Sequence, residues 1–179
     1  MQEKSDFASF DHNVLPHLRA AYNLARWLTR NDHDAEDVVQ EAYLRAFRFF
    51  SGFRGGDSRA WLLAIVRNVY FTWARRNDSQ ESATVADDAV ESIESPSLSP
   101  EARLLQTADR ERLRQALEDL PPEYREVIVL RELEELSYKE IAEIAGVPLG
   151  TVMSRLARAR KRLQQCLITS ESREHPHEV

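Results

Sequence analysis

Five basic side chains and no acid lie between Leu149 and Leu163: Arg155, Arg158, Arg160, Lys161 and Arg162. Cations at that density suit phosphate neutralisation, and an arginine can donate two parallel hydrogen bonds to the edge of a guanine. Val152, Leu156, Ala159 and Leu163 recur at spacings of three and four, so one side of a helix packs while the rest is cationic. Upstream, Ser137 followed three residues later by Glu140 is a capping-box start. Ile141, Ala142, Ala145 and Val147 supply an apolar stripe, Gly146 suits a left-handed helix end, and Pro148 disfavours helix at the residue before it. The whole, residues 137–162, outlines a helix-turn-helix whose second helix is built to enter DNA. A merely solvated basic face is the plain alternative. The agreement of cap, turn and charge excess favours nucleic acid.

A second cationic stretch, FRGGDSRAWLLAIVRNVYFTWARR at 53–76, combines a glycine loop, four later aromatics and five arginines against one acid. Aromatic and arginine side chains near one another suit unstacked bases, each of which offers a face and a phosphate. Trp61, beside Leu62 and Ile65, reads as core; Tyr70, Phe71 and Trp73 stay open to either role. Between Asp34 and Phe47 the run DAEDVVQEAYLRAF clusters Asp34, Glu36, Asp37 and Glu41 around a hydrophobic stripe. These acids allow three readings: a metal site, favourable charge at a helix N-terminus, or a docking face for a basic protein. A carboxylate metal site in a bundle wants Glu-x-x-His on inward faces, and none occurs here.

These motifs need helices to carry them. Residues 5–76 show helical periodicity, with no alternating strand pattern of useful length. Residues 101–168 read as a helix to Leu120, a break at Pro121 and Pro122, a helix from Glu123 to Leu133, then the helix-turn-helix. The stretch 77–100 holds six acids and no Lys or Arg, which accounts for the whole net charge of −6. Its polarity, serines and prolines mark a flexible acidic linker. The expected fold is all-α: two small helical domains, at 5–76 and 101–168, with a disordered tail at 169–179. Each is small enough for contacts between them, or a partner, to matter.

The N-terminus has no apolar signal core and no apolar run approaches a membrane span, so a cytoplasmic location is expected. Cys166 is the only cysteine, which excludes an intrachain disulfide and leaves helix packing or redox chemistry open to it. The tail histidines His175 and His177 could bind metal only weakly. No cofactor is expected.

Three stretches in this order, DAEDVVQEAYLRAF (34–47), FRGGDSRAWLLAIVRN (53–68) and LPPEYREVIVLRELEELSYKEIAEIAGVPLGTVMSRLARARKRL (120–163), closely resemble the extracytoplasmic-function (ECF) sigma factors of bacterial RNA polymerase. The resemblance covers nearly the whole chain and implies a promoter-specificity subunit with no catalytic centre. It implies that Asp37, Gln40 and Glu41 dock on core RNA polymerase. Phe53, Arg54, Gly55, Asp57, Ser58 and Asn68 would capture a flipped base of the −10 element, with Arg67, Arg75 and Arg76 near its phosphates. Thr151, Arg155, Arg160 and Lys161 would serve the −35 backbone, and Met153, Ser154, Ala157 and Arg158 would face its bases. Met153 and Ala157 depart from residues common in relatives, so the −35 sequence cannot be copied from them. The linker, about 80 Å if extended, reaches between two promoter elements. An anti-sigma factor is expected as a partner by family analogy. The competing reading is a stand-alone helix-turn-helix regulator that binds duplex DNA without polymerase, which the acidic whole-chain charge weakens. A third, a carboxylate metal enzyme, would require bound metal.

Overall fold

Sharp local signals decide where the first helices begin and end. The computed structural model describes residues 9–77 and 100–174, with side chains at 9–77 and 107–168, and no strand occurs among them. Helix α1 (9–14) leads through a single tight turn, Leu15–His17, into α2 (Leu18–Thr29). Arg30 ends α2 in the left-handed conformation, φ 60°, and Asn31 then caps α3 (Asp32–Phe49) by accepting from the Asp34 N–H at 3.0 Å. Asp32 and Asp34 place negative charge on that helix's first turn, as the simplest reading of the acids expected.

The inward face of α3 is Ala35, Val38, Ala42 and Ala46, small enough for α2 and α4 (Ser58–Asn77) to approach closely. Phe10 plugs the far end, meeting Tyr43, Phe47 and Phe50 edge-on at 5.1–5.2 Å between ring centres.

The second half starts with α5 (Pro100–Glu118), followed after the prolines by α6 (Pro122–Ile128) and a wider helical turn, Val129–Leu133. Then α7 (Tyr138–Ala145) and α8 (Leu149–Glu174) form the expected pair about Gly146. Gly146 sits at φ 65°, where a side chain would be strained, and Ser137 and Glu140 form both bonds of the capping box. Ile141 and Ala145 of α7 pack with Val152, Leu156 and Ala159 of α8, all buried.

Three boundaries differ from the sequence reading. Helix α4 runs to Asn77, α5 begins at Pro100, and α8 continues to Glu174, so the backbone at 169–174 is helical where a disordered tail was expected. From Ile168 to Glu174 the chain has neither Gly nor Pro, and nothing in its backbone chemistry stops a helix already propagating. The linker at 78–99 and the tail histidines lie outside the described residues.

The two halves share one continuous cluster of buried apolar side chains. Helix α2 packs against α6, and α4 packs against α7.

Candidate nucleic-acid interface

Asp37, Gln40 and Glu41 are all exposed on α3, and their spacing puts them on one outward face. Glu41 holds Arg45 at 2.6 Å, one turn on. Asp34, Glu36, Asp37 and Glu41 do not gather into a cage: among the described residues no three His, Cys, Asp or Glu side chains are placed to hold a metal ion.

The glycine loop comes next. Gly55 and Gly56 have φ 86° and 107°, which let the chain turn sharply before Asp57 caps α4 by accepting from the Ala60 N–H at 3.1 Å. Arg54 is exposed, while the Ser58 hydroxyl is 3.2 Å from the His17 Nε2. Phe53 is half-buried, 4.9 Å from Trp61 and 5.8 Å from Phe50 between ring centres. Trp61 thus packs as expected, and Phe53 is partly drawn into the same aromatic cluster. Asn68, Arg75 and Arg76 are exposed along one side of α4, with the Arg75 Nε donating to the Phe71 carbonyl at 3.1 Å.

Arg67 is different. Its guanidinium lies over the Phe71 ring at 4.6 Å, and its Nε donates to the Glu126 carboxylate of α6 at 2.5 Å. The Glu126 side chain is wholly buried. Burial pushes its carboxyl up to about 7, against the pull of Arg67 and, more weakly, of Arg155. Among the described residues, Glu126 Oε2 and Arg155 Nη1 are both buried without a hydrogen-bond partner. Two arginines expected to meet DNA from opposite ends of the chain therefore act on one carboxyl.

On α8, Met153, Ala157, Arg158 and Lys161 are exposed and Thr151, Ser154 and Arg155 half-buried. Arg158 and Lys161 follow one another at helical spacing, clear of the packed side. Arg160 is exposed but paired with Glu132 at 2.7 Å, and the Ser154 hydroxyl donates to the Thr151 carbonyl at 3.1 Å. Arg162 lies over Tyr124 at 5.0 Å, which ties the basic helix to α6.

Sequence reasoning missed the seam between the halves. Arg125 spends all five guanidinium donors on carbonyls: Leu117, Glu118 and Leu120 in its own half, and Trp27 and Leu28 at the end of α2, at 2.6–3.0 Å. Apart from the Leu117 carbonyl, which also accepts from the Leu120 N–H at 3.2 Å, these carbonyls lie at chain turns and helix ends, so one cation caps α2 and α5 together. Burial brings this guanidinium down to about 10, still cationic at neutral pH. Glu134, also buried, takes Arg59 at 2.5 Å and the Asn23 amide at 3.3 Å from the first half. The only trace in the sequence is the adjacent Arg125–Glu126 pair directly before the apolar run Val127–Leu130.

Two family models cover these halves separately: Sigma-70 region 2 matches residues 14–80, and Sigma-70 region 4 matches residues 110–163. The ECF RNA polymerase sigma factor SigE of Mycolicibacterium smegmatis is 34% identical over 170 residues, which cover 95% of this chain and 66% of that protein. The RNA polymerase sigma-H factor of Pseudomonas aeruginosa is 32% identical over 92% of this chain and 89% of its own length. The ECF sigma-E factor of Escherichia coli is 38% identical over 136 residues, 72% of this chain and 71% of that protein. Among solved structures, the sigma factor RpoE of Bartonella quintana, crystallised with the anti-sigma factor NepR, superposes with a TM-score of 0.73. It is 29% identical, and the match covers 89% of this chain and 96% of that one. CnrH, in complex with the cytosolic domain of CnrY, gives 0.63 at 27% identity, covering 90% of this chain and 89% of that one. With both halves matched in order and relatives similar along most of their length, this chain belongs to the ECF sigma factors of bacterial RNA polymerase.

Proposed function

We propose that the first half, through Asp37, Gln40 and Glu41, docks on core RNA polymerase, and that α4 with the loop before it holds the −10 element as a single strand. Helix α8 reads the −35 element as duplex. The observation that carries this reading is the α7–α8 pair: its cap, glycine turn and packed stripe leave Arg158 and Lys161 exposed on a second helix that is rich in cations and free of acids through Leu163. Phosphate contacts from Arg160 and Lys161 position the helix, and Met153, Ala157 and Arg158 face base edges. Arg54, Asn68, Arg75 and Arg76 serve the −10 strand. No helix among the described residues is long and apolar enough to cross a membrane. The chain works in the cytoplasm beside the polymerase and performs no catalytic step itself. The structural neighbour RpoE, crystallised with the anti-sigma factor NepR, supports such a partner here.

The test is run-off transcription from a library of promoter fragments with core polymerase, with and without this chain, beside a DNA-binding assay lacking polymerase. Discrete transcripts that need both components support the reading. Tight specific binding without polymerase, and no transcript, would establish the stand-alone regulator instead.

A further inference from the structure

One apolar line on α8 stays in solvent. The inward stripe of Val152, Leu156 and Ala159 is buried against the rest of the chain. A second line, Leu149, Met153 and Ala157, steps four residues at a time along another side of the helix, with Leu149 48% and Met153 52% exposed. Its surroundings are cationic: Arg158, Arg160 and Lys161 are exposed on the same helix, and no acid occurs from Leu149 to Leu163. An apolar strip flanked by cations matches a DNA major groove, which has phosphates at its rims and base edges on its floor. Donors are scarce beside that strip. The Ser154 hydroxyl spends its proton on the Thr151 carbonyl at 3.1 Å, and Arg160 is held by Glu132 at 2.7 Å. Met153 and Ala157 themselves offer a base neither a donor nor a strong acceptor.

We propose that Met153 reads the methyl group of a thymine in the −35 element, with Ala157, one turn on, small enough to let the helix approach it closely. Thymine is the one base that shows the major groove an apolar group. Against that methyl, the Met153 thioether buries apolar surface on both sides and takes up small misfits by rotating its side-chain bonds. Against the edge of guanine, cytosine or adenine, the same side chain would strip water from donors or acceptors and return no hydrogen bond. Met153 therefore selects twice, through a contact that thymine gains and a desolvation that the other bases suffer. Arg158 supplies the hydrogen-bonding half of the readout, so the −35 element should combine a guanine read by Arg158 with a nearby thymine read by Met153. The placement of α8 on −35 DNA rests on the function proposed above, whereas the choice of a methyl over a polar edge rests on the chemistry of the exposed line.

The test uses the full chain with core RNA polymerase on a promoter recovered from the transcription library, each −35 thymine being replaced in turn by deoxyuridine, which lacks only the methyl. One replacement should lower open-complex formation about fourfold, the effect of burying one methyl group, and Met153→Ala should abolish that difference. Cytosine at the same position should lower activity. Its 5-methyl derivative should recover part of the loss with the unmodified chain and none with Met153→Ala. Because Met153 is exposed, its replacement leaves the packed stripe of α8 in place. Indifference to every −35 methyl, or a deoxyuridine effect of equal size in Met153→Ala, overturns the assignment. A Met153→Ala loss that is uniform across −35 sequences also overturns it and gives the exposed line to a protein partner. No transcript from the unmodified chain overturns the function proposed above as well, whereas a transcript without methyl dependence overturns the role of Met153 alone.

Discussion

The Nε of Arg67 and the carboxylate of Glu126 meet at 2.5 Å across the two halves of the chain, with the carboxylate fully buried and the guanidinium stacked on Phe71. Their separation of 59 residues makes this pair a property of how the two halves pack rather than of either half. Its consequences can be measured one at a time.

The packing of the two halves should weaken as pH rises. Burial raises the Glu126 carboxyl to about 7, with Arg67 and Arg155 opposing that shift and Glu123 adding to it; with the halves apart, the group returns toward its ordinary 4.5. The packed halves therefore bind more protons between those values than the separated ones, so stability falls from about pH 5 and levels off above about pH 8. The full span corresponds to roughly 3 kcal/mol at most. Thermal unfolding followed by circular dichroism from pH 5 to 8 should show this drift in the unmodified chain and not in Glu126→Gln, which cannot ionise. A drift in the opposite direction would refute it.

Replacing Arg125 should be the most damaging single change at the seam. Arg125→Ala removes five hydrogen bonds to carbonyls, of which only Leu117 has another backbone donor, a loss of at least about 3 kcal/mol, or roughly 10 °C in melting temperature for a chain of this size. Arg125→Lys has three donors rather than five in a fixed fork and should recover only part of that. Thermal unfolding followed by circular dichroism checks both.

Arg158 and Lys161 should separate specificity from affinity. Arg158→Ala should relax preference at one −35 position by about 1–3 kcal/mol without changing core binding. Lys161→Ala should weaken all promoters alike and lower the salt dependence by about one phosphate contact. Transcription from a −35 library at two salt concentrations distinguishes them; a uniform loss from Arg158→Ala would remove it from base readout.

Asp37→Ala with Glu41→Ala should lower affinity for core polymerase, on the order of tenfold for a pair of docking charges, and leave −35 preference intact. Competition against a labelled sigma factor reads this directly. An unchanged affinity would place the docking surface elsewhere than the outward face of α3.

Local chemistry was written plainly in the chain. Ser137, Glu140, Gly146 and Pro148 specify the α7–α8 turn because capping and left-handed backbone depend only on neighbours in sequence. The same holds for the stripe of Val152, Leu156 and Ala159, whose burial follows from helical spacing. Phe53 was harder: its residue type suits base capture, yet the aromatic cluster it joins depends on where Phe50 and Trp61 come to rest.

What the tertiary structure alone decided is how the charges are shared. The family resemblance implies a phosphate contact for Arg67 and a backbone clamp for Arg155. Yet whether an arginine faces water or a buried acid is set by the docking of α2 and α4 onto α6 and α7, between segments some sixty to a hundred residues apart. Periodicity reports which side of one helix is apolar; it does not report which other helix will cover it. Arg125 shows the same limit from the other side. Next to Glu126 it reads as an ordinary exposed charge, and only the meeting of two helix ends, α2 and α5, gives its five donors the carbonyls that account for its burial.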